Sequence, residues 1–174
     1  AVMLTLGTGI GGGLIIEGKL FMGSGGFGAE LGHITIASDG PACGCGALYG
    51  CFEALASGTA IIRAAQEEIS PKIDNAEAVA KLAQDGNEAA RAIWEDEGKW
   101  LGIAIANYLN IFNPDVVIIG GAIAAAWPLF ERRMMEEVNA RAFAVMREHV
   151  KVVPAALGND AGIIGAARMS WDAH

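Results

Sequence analysis

Glu30-Leu31-Gly32-His33, followed by Cys43-Gly44-Cys45-Gly46-Ala47-Leu48-Tyr49-Gly50-Cys51-Phe52-Glu53, is the stretch on which the reading of the whole chain turns. It gathers all three cysteines, one of the three histidines and two carboxylates. Thiolates and imidazole are the donors that Zn²⁺ selects, and His33, Cys43, Cys45 and Cys51 would make a closed tetrahedral set with no position left for chemistry. That describes structural rather than catalytic zinc. Two other readings stand beside it. The cysteines can be small buried hydrophobes with His33 a satisfied core residue, or two of them can pair as a disulfide and leave one over. Gly44, Gly46 and Gly50 suit a sharply turning loop better than a core, and nothing marks the chain as secreted, so zinc is the favoured reading.

Working upstream, Gly23-Ser24-Gly25-Gly26-Phe27-Gly28-Ala29 leads directly into Glu30, and Glu30 and His33 are spaced to face one way on a helix. Before that come three apolar runs, Ala1 to Leu6, Leu14 to Ile16 and Lys19 to Phe21, the last two separated by Glu17-Gly18; they predict a β-meander. Gly7-Thr8-Gly9-Ile10-Gly11-Gly12-Gly13 lies between the first two runs, where glycines let backbone N–H groups converge on an anion such as a phosphate. A hairpin turn would use glycine too, so this motif alone is a weak signal. Sixteen of the 24 glycines fall in the first 58 residues. Ligand binding is therefore expected in the first third, with the remainder as scaffold.

Downstream, Gly58, Ile62, Ala65 and Ile69 recur at helical spacing until Pro71. Asp74 or Asn75 can cap a short helix carrying Val79 and Leu82, which Gly86 ends, and Asn87 can cap the next. Ile93, Trp94, Leu101, Ile105, Leu109 and Phe112 then trace the apolar stripe of a long helix closed by Asn113-Pro114. Val116-Val117-Ile118-Ile119 reads as a buried strand, and Gly120-Gly121 with a helix behind it forms the strand, glycine turn, helix arrangement that admits a flat ring or a phosphate. Val150 to Val153 reads as an edge strand, and Asn159-Asp160 can cap a last helix through Ile163, Ile164 and Ala167.

With 174 residues, 53% of them hydrophobic and 18% charged, the chain can bury one α/β domain. A net charge of −8 without a Lys/Arg cluster argues against nucleic acid as a partner. No run approaches the roughly 20 apolar residues of a membrane helix, so no membrane is expected and the cytoplasm is the expected compartment. The opening Ala1-Val2-Met3-Leu4-Thr5-Leu6, without an initiator methionine, is expected to continue a longer protein.

Leu6 to Gly13, Glu30 to His33, the cysteine cluster ending in Glu53, Asn113-Pro114-Asp115 through Gly120-Gly121, and Leu157-Gly158-Asn159-Asp160-Ala161-Gly162 occur in an order similar to that of ROK-family sugar kinases, bacterial glucokinases especially. The resemblance covers nearly the whole chain. It implies the C-terminal half of a two-domain kinase with an actin-like, RNase H-like ATPase fold. Residues 1–174 would be one domain, with a zinc loop at about 33–51, a helical segment at about 53–112 and an adenosine segment at about 115–147. By the same resemblance Gly7, Thr8, Gly9 and Gly11 would meet the ATP phosphates and Gly120 and Gly121 the adenosine. Glu30, His33 and Glu53 would meet the hydroxyls of a hexose, glucose favoured, that is phosphorylated at its 6-position. His33 would hold structural Zn²⁺ with Cys43, Cys45 and Cys51 and turn its other ring nitrogen to the sugar; Mg²⁺ would accompany ATP, and the protein would be a homodimer.

Three departures qualify the likeness. The family pattern has two residues between the glycines of the cysteine loop, whereas Ala47-Leu48-Tyr49 supplies three, so the loop must bulge or Cys51 misses the metal. Ala122 stands where a third glycine is common. The N-terminal D-x-G-G-T phosphate loop and the family's aspartate base are not in these residues, so the missing N-terminal domain becomes a required partner and the isolated chain is expected to be inactive. ROK-type transcription regulators share this domain and form the alternative, which the intact Gly7 to Gly13 loop disfavours. A zinc-stabilised interaction module is a third reading, and the same loop counts against it.

Overall fold

Val2, Leu4 and Leu6 alternate with Met3 and Thr5, and this period of two puts the first three on one face of strand β1 (Val2–Leu6), fully buried. Strand β2 (Ile10–Ile16) returns antiparallel, with Val2 opposite Leu14 and Leu6 opposite Ile10. Glu17 and Gly18, both at positive φ, then make the two-residue turn into β3 (Lys19–Leu20). The expected meander is therefore present, with one correction. Gly11, Gly12 and Gly13 are ladder residues opposite Thr5, Leu4 and Met3, so the glycine loop shrinks to the bend at Gly7, Thr8 and Gly9. Gly12 is required by packing: a Cβ there would lie 2.6 Å from that of Leu31.

The structure, a computed structural model, describes residues 1–46 and 49–172. After the cysteine loop come α1 (Phe52–Ala56), α2 (Gly58–Glu68), α3 (Ala76–Gln84) and α4 (Glu88–Phe112). A helical segment was expected from about residue 53. Ser57 divides it, because this residue takes an extended conformation and its hydroxyl accepts from the Ala60 N–H as the N-cap of α2. Gly58 and Ala65 are buried as the spacing predicts, with Ile61 buried beside them and Ile62 half-buried. Asn75 and Asn87 cap α3 and α4 as expected, accepting from Ala78 N at 2.8 Å and Ala90 N at 2.9 Å. Asn113, left-handed at φ 44°, closes α4.

Strand β4 (Val116–Gly120) runs parallel to β1, and after α5 (Trp127–Arg141) and α6 (Ala144–Arg147) strand β5 (Lys151–Pro154) runs parallel to β4. The five-stranded mixed sheet has the order β3-β2-β1-β4-β5. Leu4, Leu14, Val117 and Ile119 share one core with Leu101, Ile105, Phe130 and Met134 of α4 and α5. These two helices touch backbone to backbone: a Cβ on Gly98 would sit 2.5 Å from Phe130 O, and one on Gly102 2.4 Å from Met134 O. Glu137 is buried at this seam between Arg133 and Arg141. The last helix, α7 (Ala161–Asp172), follows a 3-10 turn over Gly158–Asp160 and is solvent-exposed, with Ile163 at 73%; the side chain of Asn159, an expected cap, lies outside the described set. No described helix is long and apolar enough to cross a membrane.

Candidate sugar, nucleotide and metal site

The chain between His33 and Cys51 folds back on itself through an antiparallel bridge between Thr35 and Cys51, with Phe52 N donating to Ile34 O and Ile36 N to Gly50 O. Gly50 sits at φ 62°, where a Cβ would fall 1.6 Å from Ala37 O. Only glycine lets these backbones meet. The result gathers His33, Cys43, Cys45 and Cys51, whose ligand atoms all lie within 4.8 Å of one another. Nδ1 of His33 is 3.7 Å from Cys43 Sγ, close to the edge of a tetrahedron with zinc–ligand bonds of about 2.0–2.3 Å. Cys51 therefore reaches the cluster despite the longer loop; Ala47 and Leu48, where a bulge was expected, lie outside the described residues. None of the three cysteines forms a disulfide. Burial first, then hydrogen bonds and charge from Cys43 and Cys45, push the Cys51 thiol up to about 12. Crowded thiols resist ionisation, and a divalent cation is what would reverse that preference.

Glu30 stands exposed at the head of a 3-10 turn over Leu31–His33, so it and His33 share a turn rather than an α-helix. Tyr108 of α4 anchors this turn through a 2.6 Å hydrogen bond from its hydroxyl to Leu31 O. Burial holds that phenol well above its usual range. Glu53, in the first turn of α1, is half-buried, and its Oε2 accepts from Ile10 N at 2.9 Å. A Cβ on Gly9 would lie 2.5 Å from the same oxygen. The carboxylate that follows the cysteine loop thus packs against the glycine bend, although 43 residues separate Ile10 from Glu53. Gly11 is in β2 beside Thr5 and contributes no bend.

Gly120 and Gly121 open a cavity of about 1020 Å³ that also reaches Asn75, Lys81 and Gln84 of α3, Trp94 of α4 and Pro154. Helix α3 is therefore a wall of a ligand-sized cavity, which corrects its reading as scaffold. A run of caps and apolar positions carries no signal for this, because the contact is made by distant residues. Trp94 is buried, and its indole N–H has no protein partner among the described residues. Gly121 has φ 87°, and a Cβ would fall 2.2 Å from Leu6 O. Ala122 begins a 3-10 turn with no positive φ, so a side chain costs nothing there. Gly121→Ala is expected to destabilise the fold by about 1–3 kcal/mol through backbone strain, seen as a lower Tm, while Ala122→Gly leaves Tm within a degree or two.

The ROK family profile matches residues 1–172. The chain is 40% identical over 179 aligned positions to a glucokinase of Thermotoga maritima, covering 95% of this chain and 56% of that protein. It is 32% identical over 171 positions to the xylose repressor of Bacillus subtilis, covering 98% and 44%. A solved ROK family glucokinase from Streptomyces griseus, in complex with glucose and AMPPNP, superposes with a TM-score of 0.85 at 31% identity, covering 97% and 59%. The chain thus spans about half the length of the curated relatives it matches. With the sheet order, the cysteine–histidine cluster and the glycine bend already in place, these matches identify the chain as a member of the ROK family, with the actin-like sugar-kinase fold.

Proposed function

We propose that this chain is the nucleotide- and sugar-binding half of an ATP-dependent hexose kinase, glucose being the favoured acceptor. The observation that carries this reading is the hydrogen bond from Ile10 N to Glu53 Oε2, which sets a carboxylate suited to sugar hydroxyls directly against a bend suited to phosphates. Glu30, His33 and Glu53 would accept or donate hydrogen bonds to the hydroxyls, and charge-assisted bonds of this kind are directional enough to orient the attacking oxygen. Gly7, Thr8 and Gly9 would present backbone N–H groups to the phosphates, while Gly120 and Gly121 admit the adenosine to the cavity beside α3. Mg²⁺ on the ATP would neutralise the phosphoryl charge. His33, Cys43, Cys45 and Cys51 would hold Zn²⁺, which supplies rigidity to the loop and no reacting group. No residue of this chain is assigned as the base.

Phosphoryl transfer by the intact protein to glucose, mannose and N-acetylated hexoses, compared by kcat/KM, tests the reading. Glucose is expected to lead by at least about tenfold, a difference of roughly 1.4 kcal/mol in transition-state binding. A preference for an N-acetylated sugar would reassign the acceptor. The match to a xylose repressor supports a second reading, a sugar-responsive regulator. Sugar binding with no ADP formed in the presence of MgATP would favour it.

A further inference from the structure

The bend at Gly7, Thr8 and Gly9 is held from behind by the start of α2. Gly58 N donates to Gly7 O at 2.8 Å, and Thr59 Oγ1 donates to Thr8 O at 2.8 Å across 51 residues of sequence. Ile10 N, one residue beyond the bend, is fixed on Glu53 Oε2. In a trans peptide plane the carbonyl and the following N–H point in opposite directions. Turning Gly7 O and Thr8 O towards α2 therefore turns the N–H groups of Thr8 and Gly9 away from it. These are the donors a phosphate would meet. Gly58 must lack a side chain for this approach, since a Cβ would lie 2.8 Å from Gly7 O. Thr59 is exposed and takes no part in the core, so packing does not explain its hydroxyl contact.

We propose that Thr59 is a positioning residue for the nucleotide: with Gly58 it clamps the two carbonyls of the bend and so aims the Thr8 and Gly9 N–H groups at the phosphates. The inference rests on the assignment of that bend to ATP. It also gives the break at Ser57 a purpose. By starting α2 afresh, Ser57 brings the Gly58 N–H and the Thr59 hydroxyl to the bend within six residues of Glu53, so one strap from Cys51 to Thr59 would serve metal, sugar and phosphate positions together.

The test is the Kd of MgATP measured by calorimetry on the intact protein, beside the Kd of glucose and the Tm. Thr59→Val removes the donor at nearly constant shape and is expected to weaken MgATP about two- to tenfold, the worth of one net hydrogen bond. Thr59→Ser restores binding, neither variant moves the glucose Kd, and the Tm of Thr59→Val falls by no more than the few degrees that one exposed hydrogen bond is worth. Gly58→Ala displaces the bend itself and weakens MgATP more than Thr59→Val. Wild-type MgATP affinity in Thr59→Val overturns this inference alone, as does an equal loss of affinity for both ligands, which would make the contact merely structural. If the unaltered protein binds no MgATP, the assignment of the bend falls and takes the inference with it.

Discussion

Cys51→Ser is expected to strip the protein of zinc and to weaken both sugar and nucleotide binding, although the altered atom would touch neither ligand. The substitution exchanges a soft thiolate for a hydroxyl, which Zn²⁺ does not favour. Cys51 is fully buried and sits immediately before α1, where its backbone bridges Thr35 and its thiol lies 3.7 Å from His33 O. Losing this ligand opens a closed four-donor set. Structural zinc supplies about 10–16 kcal/mol of apparent binding energy in small metal-folded peptides, and even a fraction of that would hold the loop from His33 to Glu53 against its conformational entropy. Two residues on, Glu53 loses its fixed relation to Ile10. We expect metal content after dialysis to fall from about one zinc per chain to near zero, with MgATP and glucose each bound at least about tenfold more weakly. Retention of a full equivalent of zinc by the variant would remove Cys51 from the ligand set. An unaltered protein free of zinc would end the metal assignment altogether.

The parts of this architecture that were legible in the sequence are those decided locally. Asn75, Gly86, Asn87 and Asn113 each act within one helical turn, so caps and stops could be placed from residue type alone. The β-branched run at Val116 to Ile119 and the Glu17-Gly18 turn are equally local. The cysteine cluster was legible for another reason: few other residues share its chemistry, so distance in sequence does not disguise it. The division of the helix at Ser57 was missed because a serine also fits a helix interior, and only the carbonyls of Gly7 and Thr8 across the fold make an extended Ser57 worthwhile. The glycine run from Gly7 to Gly13 bends over less of its length than its composition suggests, for the converse reason. Glycine permits a bend everywhere, but Gly12 is present for the approach of Leu31. The bond between Ile10 and Glu53, on which the functional reading now rests, had no local trace at all. The wall that α3 contributes to the cavity at Gly121 was hidden in the same way.

Glu97 falls four residues from both Ile93 and Leu101, on the apolar stripe of α4. In the structure it is 2% exposed, and neither carboxylate oxygen has a partner among the described residues. Burial raises its pKa well above 4.5, which favours the neutral acid in the folded protein relative to the unfolded chain. The cavity of about 330 Å³ beside it is lined by Glu67, Glu68 and Asp96 as well as Arg63, and the Arg63 guanidinium is engaged by Ala54 O at 2.9 Å. A group with a raised folded pKa contributes full stability below its unfolded pKa and loses it as pH rises. Stability is therefore expected to fall as pH climbs from about 4.5, by up to about 1.4 kcal/mol per unit until the folded pKa is reached. Glu137 acts in the opposite sense: burial raises its pKa, but the hydrogen bond and charge of Arg141, with Arg133 and Lys99, outweigh it and leave the pKa lowered, so its contribution fades only on acidification. Denaturant midpoints followed from about pH 3 to pH 9 separate the two, Glu137 acting at the acid end and Glu97 above about 4.5. Glu97→Gln should flatten the alkaline decline, and Glu97→Leu should in addition gain about 1–3 kcal/mol by removing an unsatisfied buried polar group. An unchanged pH profile in Glu97→Gln would show that the carboxyl is ionised and solvated in the folded protein.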